Sequence, residues 1–228
     1  MTTPTQLNQG IGAYHRLKAD IIHNAFSPGE KLQMSRLKAY YGLGVGPLRE
    51  ALSRLVAERL VVAESQRGFR IAPMSLDELH DIYEARAEIE GLMLRLAIER
   101  GDDAWEAEIL ARAHTLGKVM EVKTPEELLD IWDSRHQAFH TAIVAGCRSS
   151  HLMQIRADLF DRVERYRNLW LRETVLSEAA LEQKRQEHAR LVDVILARDT
   201  RAATQMMIDH LMTPVPIITE VMRRHQRG

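Results

Sequence analysis

The sequence predicts a mainly α-helical protein, with an N-terminal winged helix-turn-helix followed by a C-terminal bundle built only of helices. Three observations support this fold class. Apolar residues recur at helical spacing along most of the 228 residues, and β-prone runs occur only beside Gln66-Arg67-Gly68. The charge also divides, since residues 1–74 carry a net +5 and residues 75–228 a net −6. A basic head joined to an acidic body favours a polyanionic partner for the head.

The head contains three predicted helices and a hairpin. The first helix ends before the turn signal Ser27-Pro28-Gly29, the second ends at Gly42, and Pro47 suits the first position of the third. Glycine at the bend favours a hairpin between two short β-prone runs. The predicted helices cover residues 7–22, 35–40 and 47–59, and the strands residues 60–63 and 69–72. Three helices and a hairpin in this order predict a winged helix-turn-helix.

A domain boundary is predicted at Pro73-Met74-Ser75, which gives a DNA-binding domain over residues 1–73 and an effector-binding and dimerisation domain over 76–225. In the second domain, Thr124-Pro125-Glu126-Glu127 has the composition of a capping box, so a helix is expected from there to Ala145. Asp199 is expected to cap the last helix, which Pro214 and Pro216 should end. The other predicted helices cover residues 76–100, 103–120, 150–174, 179–197 and 200–212.

Composition excludes several classes of protein. The hydrophobic share of 45% and the charged share of 28% are typical of a folded chain and exclude disorder, collagen and a disulfide scaffold. Apolar runs are shorter than the roughly 18 residues that a membrane-spanning helix needs, and a secretion signal is not recognisable. The single cysteine fits a reducing compartment. A cytoplasmic location without membrane attachment is therefore expected.

Four arginines of the head are candidates for DNA contact. A helix-turn-helix places the N-terminal part of its second helix in the major groove. Arg49, in the first turn of the predicted recognition helix, is expected to reach a base edge or a phosphate, and Arg54 the DNA backbone. Arg67 and Arg70 flank the hairpin bend and suit minor-groove or phosphate contact. Taken singly, each is more often a solvated surface charge; their clustering favours a DNA interface.

Four of the ten histidines lie where the helical pattern points inward. His136 and His140 are four residues apart and therefore share one helix face, while His188 and His210 lie on the apolar faces of two later helices. Imidazoles that converge from three helices would hold a borderline transition metal such as Zn, Ni or Cu. A single histidine on an apolar face is more often a core residue, so the hypothesis rests on the group of four.

The head and body together resemble the GntR family of bacterial transcription regulators. The resemblance rests on Leu48-Arg49-Glu50-Ala51-Leu52, Arg67-Gly68-Phe69, Pro28-Gly29-Glu30-Lys31-Leu32 and the spacing of Tyr14, Leu17, Lys18 and Ile21. The body resembles the FadR-type effector domain called FCD. This resemblance covers about residues 10–222 and implies a homodimer that binds a short palindromic operator and is released by a small carboxylic acid. A repressor of a catabolic operon of the glutarate type is expected.

The resemblance also implies roles for particular residues. Gly68 and Arg36 join the DNA-binding candidates, although Gly44-Val45-Gly46-Pro47 replaces the Ser-Arg-Thr-Pro run that is common in relatives. Metal-bearing FCD domains use an Asp and a His four residues apart and then two further His, and these positions correspond to His136, His140, His188 and His210. His136 therefore stands at the Asp position. A divalent transition metal, Zn or Ni, is expected, with Asp133 as a possible additional ligand.

A small dicarboxylate, with glutarate favoured, would need cationic partners as well as the metal, because an arginine fork holds a carboxylate well. Arg86 matches an arginine that FCD relatives direct at the effector, although an ion pair with Glu90 is an alternative role. Arg162 and Tyr166 are further candidates, on the predicted inward face of their helix. Arg156 and Arg167 are expected to point away from that face, towards the surface.

Two other functions compete with a metabolite-responsive regulator. A histidine site with an open coordination position could activate water in a metalloenzyme. The sequence has neither a His-Glu-x-x-His segment nor a glycine-rich nucleotide loop, so an enzyme is not expected. The second alternative is a regulator for which the metal itself is the signal, and adding metal alone would then release the DNA.

Overall fold

The computed structural model describes residues 4–65, 67–124, 127–171 and 177–227. The chain forms two compact units. The first unit contains residues 1–79 together with 161–168, and the second contains residues 80–160 together with 169–228. The domain boundary expected at residues 73–76 stays a prediction.

Within residues 4–65 and 67–75, the first unit has three whole helices and a three-stranded antiparallel sheet in the order β1 (Lys31–Leu32), β3 (Gly68–Ile71) and β2 (Val61–Glu64). In β2 and β3, Val61 pairs with Ile71 and Glu64 with Gly68. The core is an apolar cluster that includes Leu17, Leu52 and Leu60. The elements are α1 Pro4–Ile22, β1 Lys31–Leu32, α2 Met34–Tyr41, α3 Val45–Ala57, β2 Val61–Glu64 and β3 Gly68–Ile71. The predicted winged helix-turn-helix is present.

The head differs from the sequence prediction in the bounds of several elements, by one to three residues, and in one additional strand. The recognition helix α3 begins at Val45, two residues before Pro47, so this proline occupies the third helical position. The strand β1 was not predicted, because two residues are too few to show alternation; it pairs Lys31 with Arg70. Gly68 adopts a φ of 93°, which favours glycine at the hairpin bend as predicted. Gln66, predicted in the same bend, lies outside the described residues.

The body consists of helices throughout its described residues, as predicted. The long helix α4 has the predicted bounds, and so does α9. Asp199 caps α9 as expected, since its carboxylate accepts a hydrogen bond from the Ala202 N–H at 3.0 Å. The body elements are α4 Leu76–Arg100, α5 Asp103–Gly117, a π-helical segment Leu128–Asp133, α6 Ser134–Ala145, α7 Ser150–Leu171, α8 Glu178–Leu196, α9 Thr200–Met212 and α10 Pro214–Arg227.

Helix α10 corrects the prediction for the C-terminus. Pro214 ends α9, but it also begins a new helix, because a proline at the first helical position loses no hydrogen bond. Buried Val215, Ile218, Val221 and Met222 recur along α10 at helical spacing. The prolines therefore mark a junction between two helices and not the end of the helical tract.

The helix predicted from Thr124 to Ala145 is interrupted by a π-helical segment. Its cap is present, since the Thr124 hydroxyl accepts a hydrogen bond from the Glu127 N–H at 3.1 Å. Pro125 lies outside the described residues, as do residues 172–174, where α7 was predicted to end. The turns of this π-helical segment are wider than those of an α-helix. Residues 128–133 therefore do not keep the face positions that a continuous α-helix would give them.

Within the described ranges, none of the helices is both long enough and apolar enough to cross a lipid bilayer.

Candidate functional site

The recognition helix presents Arg49 to solvent. The N-cap residue of α3 is Gly44, which supplies no side-chain hydrogen bond, and the helix begins directly at Val45. Arg49 lies in the next turn and is exposed. Its side chain has no hydrogen bond or ion pair among the described residues, unlike several neighbouring arginines. A guanidinium with all its donors free in the first part of a recognition helix suits contact with a base edge or a phosphate.

The other arginine candidates of the head differ in their engagement. Arg36, Arg54 and Arg70 pair with Glu30, Glu50 and Glu64 at 2.9, 2.8 and 2.7 Å. Arg70 also donates to the Gly29 carbonyl, so it is fixed against the fold of the head. Arg67 is exposed at the tip of the wing, next to Gly68. Arg49 and Arg67 are therefore the candidates whose guanidinium groups are most available in this structure.

In the second unit, all four predicted histidines meet. Helix α6 carries His136 and His140, α8 carries His188 and α9 carries His210. Nε2 of His140 lies 3.0 Å from Nε2 of His136 and 3.2 Å from Nε2 of His210. Nε2 of His188 lies 3.3 Å from Nε2 of His210. One nitrogen from each ring lies within 4.8 Å of the other three, so four donor atoms surround a common point.

His140 and His188 are buried and His136 and His210 are mostly buried, and burial favours the neutral form of His140, His188 and His210. Burial lowers the pKa of His140 well below its ordinary value, and the neighbouring histidines and the charges of Arg86 and Arg156 lower it further. Burial, followed by the charge of His210, lowers the pKa of His188 to about 3. Burial also lowers the pKa of His210. A neutral imidazole has one ring nitrogen with a free lone pair. A metal ion requires this protonation state in a histidine ligand.

Asp133, a predicted additional ligand, lies behind His136 and outside the group of four donor atoms. Its Oδ1 is 4.0 Å from Nδ1 of His136, and its Oδ2 accepts a hydrogen bond from Gln137 at 2.7 Å. Trp132 stacks on the same imidazole, with ring centroids 4.6 Å apart. Both residues belong to the π-helical segment, which thus packs against the back of His136.

A buried ion-pair triad lies beside the cluster. Glu90 accepts a 2.6 Å hydrogen bond from Nε of Arg86, and Nε of Arg156 is 3.2 Å from its other oxygen. Burial acts to raise the pKa of Glu90, but the charges of Arg86 and Arg156 outweigh it and hold the pKa below its ordinary value. Both guanidinium groups lie over the ring of Phe160, at 5.3 and 5.7 Å. The triad carries a net charge of +1.

Arg156 is a binding candidate that the sequence prediction missed. Its Nη1 donates to the Thr141 hydroxyl at 3.2 Å, while its Nη2 is buried without a hydrogen-bond partner among the described residues. The prediction that Arg156 and Arg167 lie at the surface was wrong, since only 7% and 4% of these residues are exposed. The neighbouring apolar residue, Ile155, is 45% exposed. Charged residues of a helix usually face solvent, but these arginines of α7 are buried because each forms an ion pair with a glutamate.

The structure does not bring Arg162 and Tyr166 to the histidines. Both belong to the first unit, where Glu78 binds them. Nη2 of Arg162 donates to Glu78 at 2.8 Å, and the Tyr166 hydroxyl donates to Glu78 at 2.7 Å and accepts from the Ser75 N–H at 3.2 Å. Of the three predicted effector residues, only Arg86 lies near the cluster.

Comparison with known proteins identifies the class. The family model for bacterial regulatory proteins of the gntR family matches residues 11–71, and the model for the FCD domain matches residues 81–213. The chain belongs to the GntR family of bacterial regulatory proteins. Its effector domain is of the FCD type. The winged helix-turn-helix of this GntR regulator is therefore a DNA-binding unit.

Relatives of this GntR regulator cover almost its whole length. It is 55% identical to the HTH-type transcriptional repressor GlaR of Escherichia coli K12, over 93% of the chain and 96% of that protein. It is 32% identical to the HTH-type transcriptional regulator BphR of Paraburkholderia xenovorans LB400, over 91% of the chain and 84% of that protein. Its fold matches that of E. coli McbR/YncC, with a TM-score of 0.73 at 20% identity over 93% and 97% of the two chains. GlaR is named as a transcriptional repressor and BphR as a transcriptional regulator, and neither name describes an enzyme.

Proposed function

We propose that this GntR regulator is a repressor whose operator affinity is lowered by a small dicarboxylate bound between a metal on the histidine cluster and the Arg86–Arg156 pair. The observation that carries the proposal is the position of four converging imidazole nitrogens beside a buried guanidinium with an unused donor. Together they form a site with two separate anchors for one dianion.

The four imidazoles fit a divalent transition metal of the Zn or Ni type. Borderline ions accept nitrogen donors, whereas Mg²⁺ and Ca²⁺ prefer oxygen. The three Nε2–Nε2 distances are 3.0 to 3.3 Å. Without a metal, each contact would need an N–H on one of its two rings, whereas a shared cation would accept the Nε2 lone pairs of all four rings. When bound, the metal would act as a Lewis acid for one carboxylate of the effector. His136, His140, His188 and His210 would hold it.

Charge balance favours a dianion as the effector. Neutral imidazoles leave the charge of a divalent ion uncompensated, and Arg86 and Arg156 exceed Glu90 by one further positive charge. Arg156 Nη2 is a buried donor that gains a hydrogen bond when a carboxylate reaches it, and a charge-assisted bond of this kind is about twice as strong as a neutral one. A C4–C6 dicarboxylate, with glutarate favoured, places a carboxylate at each anchor.

Repression would follow from a homodimer whose two recognition helices read half-sites about one DNA turn apart, roughly 34–36 Å. The dicarboxylate must bind more tightly to a conformation in which this spacing no longer matches, because only differential affinity can shift the population. A weakening of operator affinity by tens-fold corresponds to about 2 kcal/mol of coupling. If the metal itself were the signal, adding metal without any acid would release the operator.

We expect metal binding to stabilise the protein and effector binding to stabilise the metal-loaded protein further. In the Zn²⁺-loaded protein, a C5 dicarboxylate at 100 times its dissociation constant should add about 2.7 kcal/mol to the free energy of unfolding. The His136→Ala variant keeps three imidazoles and should bind Zn²⁺ at least about tenfold more weakly. It should also lose the response to the acid. Differential scanning fluorimetry with Zn²⁺ and C4–C6 dicarboxylates, together with metal analysis, measures both effects.

His114→Ala is the matched control, because His114 is exposed on α5 and lies outside the cluster. It should retain both the metal and the response. If His136→Ala and His114→Ala bind Zn²⁺ equally well, the cluster is not the metal site. If the acid stabilises the chelator-treated protein as much as the loaded one, the metal is not an anchor for the effector.

A further inference from the structure

Glu187 faces the outer side of His210. Its Oε2 lies 3.7 Å from Nδ1 of His210, while Nε2 of the same ring lies 3.2 Å from His140 and 3.3 Å from His188. The imidazole of His210 therefore turns one nitrogen towards the cluster and the other towards the carboxylate. Its protonation pattern decides which of the two nitrogens carries a lone pair.

The surroundings of Glu187 favour one tautomer. Its Oε1 accepts a hydrogen bond from Gln183 at 2.9 Å, but its Oε2 is buried without a hydrogen-bond partner among the described residues. Lys184 lies 3.5 Å from the same oxygen. A proton on Nδ1 of His210 would give Oε2 a donor, whereas a buried acceptor left unsatisfied costs about 1–3 kcal/mol.

We propose that Glu187 is a positioning residue that holds His210 in the Nδ1–H tautomer and so directs the Nε2 lone pair into the histidine cluster. Carboxylates that accept the second N–H of a ligand imidazole fix its orientation and raise its basicity. The role in metal binding rests on the function proposed above. The tautomer does not, because it follows from contacts within the protein.

Asp209 provides a matched control for Glu187. Glu187, His210 and Asp209 all line the same pocket of about 250 Å³. Asp209 carries the same charge as Glu187, and its Oδ1 accepts a hydrogen bond from Gln205 at 2.9 Å. Neutralising either residue thus removes one negative charge from the same pocket. Only the change at Glu187 should alter the tautomer of His210.

The test compares the full-length wild type with Glu187→Met, Glu187→Gln and Asp209→Asn. In the metal-free proteins, long-range ¹H–¹⁵N NMR of the imidazoles reports the tautomer. We expect Nδ1–H for His210 in the wild type and in Asp209→Asn, and a shift towards Nε2–H in Glu187→Met. Glu187→Gln retains an acceptor oxygen and should preserve most of the Nδ1–H form. If Glu187→Met does not fold, the comparison of Zn²⁺ affinity between Glu187→Gln and Asp209→Asn decides the test.

Competition with a chromophoric chelator then measures the affinity for Zn²⁺. Glu187→Met should bind Zn²⁺ about 10- to 100-fold more weakly than the wild type, Glu187→Gln should lose less, and Asp209→Asn should match the wild type. An Nε2–H tautomer in the wild type, or equal losses in Asp209→Asn and Glu187→Gln, would overturn the proposal. A wild type that shows Nδ1–H but binds no Zn²⁺ would refute the metal site and leave the role of Glu187 in setting the tautomer supported.

Discussion

Arg49→Ala is expected to remove most of the sequence-specific operator affinity while leaving the fold intact. Arg49 is exposed on α3 and has no partner among the described residues, so its loss creates no buried defect. Losing a bidentate arginine contact costs about 1–3 kcal/mol, which in both half-sites of a dimer amounts to roughly 30-fold to 20,000-fold in affinity. Fluorescence anisotropy on a duplex selected by the wild type from a random-sequence library measures the loss.

Arg201→Ala is a suitable control for this variant, since Arg201 is exposed on α9 and the substitution removes the same charge. It should bind the selected duplex like the wild type at the same salt concentration. Circular dichroism should give the same unfolding temperature for both variants. An Arg49→Ala protein that binds the duplex within about threefold of the wild type would show that α3 does not read the bases through Arg49.

Glu90→Gln is expected to produce a large loss of stability. The substitution preserves size but leaves Arg86 and Arg156 buried beside each other without the carboxylate that both contact. Removing one partner of a buried ion pair costs about 3–5 kcal/mol, because the remaining charge keeps its desolvation penalty. Urea unfolding followed by circular dichroism measures the change in the free energy of unfolding.

The corresponding surface pair provides the comparison. Glu99 pairs with Arg95 at 3.3 Å, also four residues apart on α4, but about half of each side chain is exposed. Glu99→Gln should therefore cost less than about 1 kcal/mol. Similar losses for Glu90→Gln and Glu99→Gln would mean that the triad is not a buried charged unit and does not hold two cationic anchors beside the histidines.

The sequence was sufficient for most of the fold because many element boundaries have a local physical cause. Gly42 and Gly68 adopt positive φ where the chain turns, and Asp199 caps α9, so these ends can be read from single residues. The π-helical segment and β1 have no comparable local signal. Helix α10 was missed because Pro214 is compatible with the end of one helix and with the start of another.

The candidate site could be predicted only where chemistry and periodicity agree. His136, His140, His188 and His210 combine an unusual residue type with an inward position, so the sequence predicts that they converge, and one nitrogen of each lies within 4.8 Å of the others. Arg156 was missed because a charged residue on a helix is normally assigned to solvent, and its burial depends on Glu90 from another helix. Pairing across helices is a tertiary property that a one-dimensional pattern does not contain.

The most direct test of the proposed function is operator affinity measured with and without a dicarboxylate, in metal-loaded and chelator-treated protein. Anisotropy of the selected duplex should show that a C5 dicarboxylate weakens binding by tens-fold when Zn²⁺ is bound, equivalent to about 2 kcal/mol. Zn²⁺ alone should leave the affinity high. Release by Zn²⁺ without any acid, or an operator affinity that no C4–C6 dicarboxylate changes in the loaded protein, would contradict a repressor that senses a metabolite at the histidine cluster.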